Sequence, residues 1–231
     1  MNFRNEASFC NSLTFDSCSA DALAADESLW HLYDSSFPSD EREPRSVILD
    51  SVSKGVGLAV RARTSIRTIG LATAHLLREP PVLFLVYLAV ASEFRSRHIG
   101  ATLFEKVWAT GNERYSEWGL VPKGMVWEVA IPEGASGQRD FKERRRRIDF
   151  FARLGARVLP RPYVQPPVDG IASVLMRLMF WPATGGSSPD GSQVSALIRA
   201  IYFEKYHAIN GIPRVVLENL LRESKTRFGG I

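Results

Sequence analysis

Apolar residues recur along the chain at two different spacings, and the switches between them order the elements. Val56, Leu58 and Val60 fall at every second position among small or polar neighbours, which predicts a half-buried strand. Ile69 to Leu77 predicts a second strand, closed by Arg78-Glu79-Pro80-Pro81. Val82 to Val90 is apolar almost without a break and reads as a central strand covered on both faces. Ile99 to Glu113 changes to helical spacing, with Leu103, Phe104 and Val107 turned toward the sheet. Gly124 to Ile131 predicts another strand and Phe141 to Leu154 another helix. Ala156 to Leu159 and Ala172 to Phe180 complete the sheet. Upstream, Leu13 to Phe15 predicts a short first strand. Ser19 is placed as the N-cap of one helix that turns Leu23, Trp30 and Tyr33 inward and breaks at Phe37-Pro38. A further helix carries Val47, Ile48 and Val52, with Gly55 just past its end.

The resulting order, β-α-α-β-β-β-α-β-α-β-β, sets consecutive strands antiparallel and a central strand–helix–strand pair parallel. A mixed, mostly antiparallel α/β sheet flanked by helices follows. Residues 1–11 are polar and are expected to form a mobile tail. The main domain runs over 12–181. Residues 182–191, PATGGSSPDG, read as a linker. Residues 192–231 form a helical extension: Val194, Leu197, Ile198 and Ile201 share a stripe, Asn210-Gly211 stops that helix, and Pro213 opens another carrying Val216, Leu217, Leu220 and Leu221. Two amphipathic helices need cover, so they pack on the domain or across a homodimer.

Composition narrows the class. Hydrophobic residues make up 45% of 231, enough for a real core. The net charge of +4 favours an anionic ligand only weakly. Cys10 and Cys18, in a polar stretch, could pair only with each other, so no disulfide framework is expected and a cytoplasmic setting fits. There is no metal-ligand spacing, no apolar signal region near the start, and no apolar run long enough for a membrane span.

Candidate chemistry concentrates in Tyr87 to Glu105, YLAVASEFRSRHIGATLFE. A buried strand ends, a short turn follows, and a helix begins at Gly100 after Arg95 and Arg97. A helix start offers unpaired N–H groups and a positive dipole end. Gly100 lets phosphates approach the backbone. This is an anion-binding strand–turn–helix suited to a pyrophosphate.

These residues resemble the GNAT superfamily of N-acetyltransferases, whose members carry Arg/Gln-x-x-Gly-x-Gly/Ala between a strand and a helix; the matching positions here read Arg95-Ser96-Arg97-His98-Ile99-Gly100. Val126-Trp127-Glu128-Val129 resembles the family's fifth strand, and Phe150-Phe151-Ala152-Arg153-Leu154-Gly155-Ala156 its FYxxLGF segment. Phe37-Pro38-Ser39-Asp40-Glu41-Arg42 is similar to the substrate-side region of some members. The resemblance implies acetyl-CoA as co-substrate, held by Leu88, Ala89, Val90, Arg95, Ser96, Arg97, His98, Ile99, Gly100 and Ala101. It also implies acetyl transfer to the amine of a small molecule or peptide. Two positions depart from the pattern. His98 stands where the loop has its first glycine, and Phe151 where many members place the tyrosine that protonates the thiolate.

Glu128, at a strand end, is the candidate general base; the bland alternative is a structural hydrogen bond. Tyr163 and Tyr87 could stand in for the missing acid, or simply pack; Tyr87 is also a candidate for substrate contact. Asp40, Glu41 and Glu43 cluster on the expected acceptor side, with Glu41 the candidate for a cationic amine; the alternative is helix-dipole compensation. Lys142 to Arg147 reads as a solvated helix face, since it lacks the interleaved aromatics of a nucleic-acid surface. Two function classes stay open: an acetyltransferase, or a CoA-binding or non-catalytic module, with use of a longer acyl-CoA as a variant of the first.

Overall fold

The computed structural model describes residues 13–168, 170 and 172–227, excepting the side chains at positions 40 and 224–227. Cys10, the expected N-terminal tail and the side chain of Asp40 lie outside the described residues. Seven strands are present: β1 Thr14–Ser17, β2 Gly57–Arg63, β3 Thr68–Arg78, β4 Pro81–Val90, β5 Gly124–Ala130, β6 Arg157–Gln165 and β7 Val174–Pro182. The α-helices are α1 Ala20–Ala24, α2 Glu27–Ser36, α3 Arg45–Ser53, α4 Ile99–Glu117, α5 Gln138–Arg153, α6 Gly191–Ala200 and α7 Arg214–Arg227, with a π-helical turn over Ile201–His207. No helix among the described residues is long and apolar enough to cross a membrane.

The strands form one sheet in the order β1-β2-β3-β4-β5-β7-β6. β4 and β5 pair in parallel, as the intervening α4 requires. The pairs β1–β2, β2–β3, β5–β7 and β6–β7 are antiparallel. From β5 the chain passes through α5 to the far edge at β6, then returns as β7 between the two. Pro160 and Pro162 explain the edge position of β6: neither has an N–H for a second neighbour, and the β6–β7 register shifts between Val158 and Pro162.

The chain divides into two compact units. One contains the residues through His75 together with Leu85–Trp118; the other contains Leu76–Phe84 and the chain from Gly119 onward. In the first, Leu23, Leu29, Trp30, Tyr33, Ile48 and Leu71 build a core with Tyr87 and Ala89. Cys18 joins this core, and burial pushes its thiol up to about 11, so it is inert at neutral pH. The expected single helix over Leu23 to Tyr33 is two. Ala25 ends α1 and Asp26 caps α2, its carboxylate accepting from Leu29 N at 3.0 Å, Thr68 Oγ1 at 2.6 Å and Arg61 Nη1 at 2.8 Å. Burial alone would raise this carboxyl, but hydrogen bonds from Thr68, Ser28, the Leu29 N–H and Arg61 hold it below the usual range. The helical period in the sequence did not reveal the break, because both short helices present the same face to the core. α4 buries Leu103, Phe104, Val107 and Tyr115. It lies so close to β3 that a Cβ at Gly70 would come within 2.8 Å of Leu103 Cδ1.

In the second unit, β5 and β7 pair over seven residues from Gly124↔Pro182 to Ala130↔Met176. Gly155, at φ +94°, turns the chain from α5 into β6. The basic run of α5 is a solvated face as expected. Lys142, Arg145, Arg146 and Arg147 are exposed, and Arg144 is tied to Asp140 and the Ile131 carbonyl. The extension packs on this unit. Asp190 and Gln193 form a capping box at the start of α6. Val194, Leu197, Ile201, Tyr202, Tyr206 and Leu217 are buried. The Glu204 carboxylate accepts the backbone N–H groups of Arg78 at 2.6 Å and Glu79 at 3.1 Å.

Each large apolar side chain buried by the extension contributes about 1.5–3 kcal/mol. A chain ending at Pro182 should therefore melt far below the full chain or fail to stay soluble. Differential scanning calorimetry with a parallel solubility measurement checks this, and equal melting of the two chains would contradict the packing described.

Candidate functional site

In the first unit, β4 leads into the turn that the sequence marks for an anion. Side chains alternate along its end: Tyr87 and Ala89 are buried, while Leu88 and Val90 are half-buried. The ladder between β4 and β5 consists of Leu83↔Met125 and Phe84↔Val126, so beyond Phe84 that side of β4 has no ladder partner among the described residues. Ala91 N–H donates to the Ile69 carbonyl of β3 at 2.9 Å. Backbone groups of neighbouring residues in a strand point to opposite sides, so the Val90 N–H and C=O point away from β3. The Val90 carbonyl is taken by Arg95 Nε at 3.1 Å. Its N–H is a donor suited to a ligand lying along the strand.

After a 3₁₀ turn at Ser92–Phe94, the chain takes two left-handed residues, Ser96 at φ 63° and His98 at φ 61°. Such conformations cost a residue other than glycine roughly 1–3 kcal/mol each and concentrate at functional sites. Left-handed residues in a turn allow neighbouring N–H groups to converge, as in the nests that receive anions. His98 thus takes a left-handed backbone at the position where the sequence resemblance places a glycine. It is the N-cap residue of α4 but makes no side-chain cap bond. The first-turn N–H groups of α4 are therefore left for another partner. α3 and α5 also start without side-chain caps; the paired left-handed residues and the flanking arginines distinguish α4. The Arg97 guanidinium lies 5.7 Å over the Phe94 ring. Ile99 is 2% exposed and Ala89 7% exposed, so these two offer a ligand backbone rather than side chains.

The same unit places Tyr87 differently from its expected role in touching substrate. Its hydroxyl donates to the Glu41 carbonyl at 3.1 Å and accepts from the Glu43 N–H at 2.8 Å. The Tyr33 hydroxyl donates to the Glu43 carbonyl at 2.9 Å. Burial first, and the negative field of Glu43 next, push the Tyr87 phenol far above its ordinary range, so it is neither an acid nor an exposed contact. Tyr87 is a buried fastener for the 41–43 segment. The acidic cluster is divided as well, with Glu43 buried and Glu41 half-buried.

In the second unit, Glu128 projects from β5 into a group of tyrosines. The Tyr206 hydroxyl lies 2.8 Å from Glu128 Oε1 and 2.9 Å from Oε2, and Gln165 Nε2 donates to Oε2 at 2.8 Å. Tyr202 donates to the Val164 carbonyl at 2.5 Å. Tyr163 is 1% exposed, and its hydroxyl makes no hydrogen bond of normal geometry although it feels the Glu128 charge. Burial, then Glu128, push its phenol well above the ordinary range. A phenol raised in this way is a weaker acid, which removes the reason for casting Tyr163 as the proton donor to a thiolate. Phe151, where the sequence resemblance places a tyrosine, is buried with its ring 4.5 Å from that of Trp127. The sequence reading missed Tyr206. The available signal was a pair of tyrosines four apart inside an apolar helical run, whose hydroxyls need partners once the rings are buried.

No protein-family model matches the chain, and a comparison with curated proteins finds no match. Solved structures match in fold. One is assigned to the GNAT family of acetyltransferases, from Bacteroides thetaiotaomicron, at 18% identity and TM-score 0.63, covering 87% of this chain and 99% of that one. Another is an aminoglycoside 6'-N-acetyltransferase complexed with coenzyme A, at 15% identity and TM-score 0.55, covering 77% and 99%. A third is Arabidopsis thaliana NAA60 in complex with acetyl-CoA, at 18% identity and TM-score 0.54, covering 75% and 100%. At these identities the likeness is one of fold: the chain has the GNAT fold.

Tyr87→Phe keeps the ring and removes the hydroxyl, leaving the buried Glu43 N–H without its acceptor. The expected loss is about 1–3 kcal/mol. Urea unfolding should show a lower midpoint with an unchanged slope.

Proposed function

We propose that the chain is an acetyl-CoA-dependent N-acetyltransferase that transfers the acetyl group directly to a primary amine. The observation that carries this reading is the turn at 95–101: two left-handed residues and flanking arginines open an uncapped helix directly after β4. That arrangement fits a pyrophosphate by the physics of helix starts and nests. Support also comes from structures of like fold that hold coenzyme A or acetyl-CoA.

Acetyl-CoA supplies the activated thioester. The N–H groups of residues 98–101 take the pyrophosphate, with Arg95 and Arg97 adding positive charge. Leu88, Ala89 and Val90 offer backbone groups along the strand, and the Val90 N–H serves as the donor to the developing oxyanion. An alkylammonium has a pKa near ~10.4 and must lose a proton before it can attack. Glu128 accepts that proton. The amine nitrogen bonds to the acetyl carbon, the carbon–sulfur bond breaks, and the thiolate is protonated by water, since neither Phe151 nor Tyr163 suits the task. The acceptor is a small-molecule or peptide amine, with Glu41, half-buried, the candidate to meet its cation; one enzyme of like fold acts on aminoglycosides. The rival reading, a CoA-binding module without turnover, draws on Phe151 and on the weak acidity of Tyr163.

Binding is tested by melting. Acetyl-CoA at 100 times its Kd should stabilise the chain by about 2.7 kcal/mol. Gly100→Val should abolish the shift by blocking approach to the backbone. An unchanged melting curve at millimolar acetyl-CoA would sink the cofactor reading.

Turnover is tested by thiol release from acetyl-CoA across a polyamine, an aminoglycoside and a peptide with a free N-terminus. Glu128→Gln should lower kcat about a hundredfold, leave acetyl-CoA binding nearly unchanged, and remove the acid limb of the pH–rate profile. Full activity with an unaltered profile would move the base elsewhere. Binding without release for any amine would favour the module.

A further inference from the structure

We propose that Tyr206, carried by the π-helical turn of the C-terminal extension, is a positioning residue that clamps the Glu128 carboxylate and holds it ionised. The role rests on the reading of Glu128 as the base. The geometry is specific. One phenolic hydroxyl sits between both carboxylate oxygens, at 2.8 and 2.9 Å, and Gln165 Nε2 fixes Oε2 from β6 at 2.8 Å. A carboxylate offers about four acceptor sites. The Tyr206 hydroxyl and the Gln165 amide together fix its plane and rotamer. Glu128 is half-buried, so the group is held without being sealed.

Packing alone does not call for this hydroxyl. The Tyr206 ring is 2% exposed and stands edge-on to Phe84 at 6.3 Å, a place phenylalanine would fill. Nor does the turn need it as an anchor. Tyr202 already holds the turn to the Val164 carbonyl, and Glu204 holds it to the N–H groups of Arg78 and Glu79. π-Helical turns are rare and gather at functional sites. This one directs its last phenol onto the carboxylate that the proposed reaction needs.

Hydrogen bonds to the charged form favour that form. Among the described residues, the phenols of Tyr163 and Tyr202 feel the Glu128 charge alongside the Tyr206 hydroxyl that contacts it. Burial first, and Glu128 next, raise Tyr163 and Tyr202, so both stay neutral at working pH. Lys205, on the same turn, is buried with its ammonium on Asn210 Oδ1 at 2.9 Å. Tyr206 and Gln165 are both donors to the charged form of Glu128 and oppose its protonation. Without the Tyr206 hydroxyl, Glu128 should gain a proton at higher pH and stop acting as a base there.

The test uses the full chain labelled with ¹³C at glutamate carboxyls. Glu128→Gln identifies the Glu128 resonance, which is then titrated in the parent and in Tyr206→Phe. The expected result is a midpoint about one pH unit higher in Tyr206→Phe. The acid limb of thiol release, with acetyl-CoA and the same three amines, should move by the same amount. The rate should recover above the shifted limb, with KM for acetyl-CoA unchanged. An unmoved midpoint, or a rate deficit equal at every pH, overturns the clamp and leaves the base reading standing. A moved midpoint with an unmoved limb overturns Glu128 as the base, and the role of Tyr206 in the reaction with it. If no amine is turned over, the base reading fails while the midpoint still decides the clamp. If Tyr206→Phe does not fold, Gln165→Met removes the other donor and should move the midpoint in the same direction; an unmoved midpoint there overturns the proposal.

Discussion

A helix cannot bond the N–H groups of its own first turn, and the first unit is organised around the place where α4 leaves them. Ser96 and His98 accept left-handed backbone so that the chain can swing from β4 into the helix. Arg95 secures that swing by bonding back to the Val90 carbonyl. The far side of α4 presses on β3 at Gly70, where there is no room for a Cβ beside Leu103. Helix position, turn strain and strand end constrain one another. A shift of α4 away from the sheet would open its buried face to water, and relaxation of the turn would misdirect the N–H groups.

The fold was largely legible from hydrophobic spacing. The continuous apolar run of β4, the alternation in β2 and the helical stripe of α4 each reflect burial that only one kind of element satisfies. What spacing could not supply were effects decided by a polar atom. Asp26 breaks one expected helix into two because its carboxylate serves as a cap and as a partner to Arg61. Tyr87 shows the same limit at the candidate site. Its hydrophobic neighbourhood was readable, but its hydroxyl binds backbone 44 to 46 residues away, a pairing no local pattern records. The turn at 95–101 was legible as a candidate because its parts are contiguous. The Glu128 group was not, because Gln165 and Tyr206 reach it from positions 37 and 78 residues distant.

The extension illustrates how packing and chemistry share one element. Its apolar stripe predicted that it would need cover, and it finds that cover on the second unit. The π-helical turn gives the same stretch a second task. It turns Tyr202, Glu204 and Tyr206 onto three separate polar partners. Buried tyrosines are tolerated there because each hydroxyl is used.

Strand β6 has a consequence for behaviour in concentrated solution. A bare sheet edge is a template on which another chain can add a strand, the first step toward fibrous aggregates. Pro160 and Pro162 withdraw two donors from that edge, and the irregular register beside them bends it out of the flat shape such addition needs. At the other end of the sheet, β1 is only four residues long. The molecule thus carries its own protection against strand-by-strand self-association.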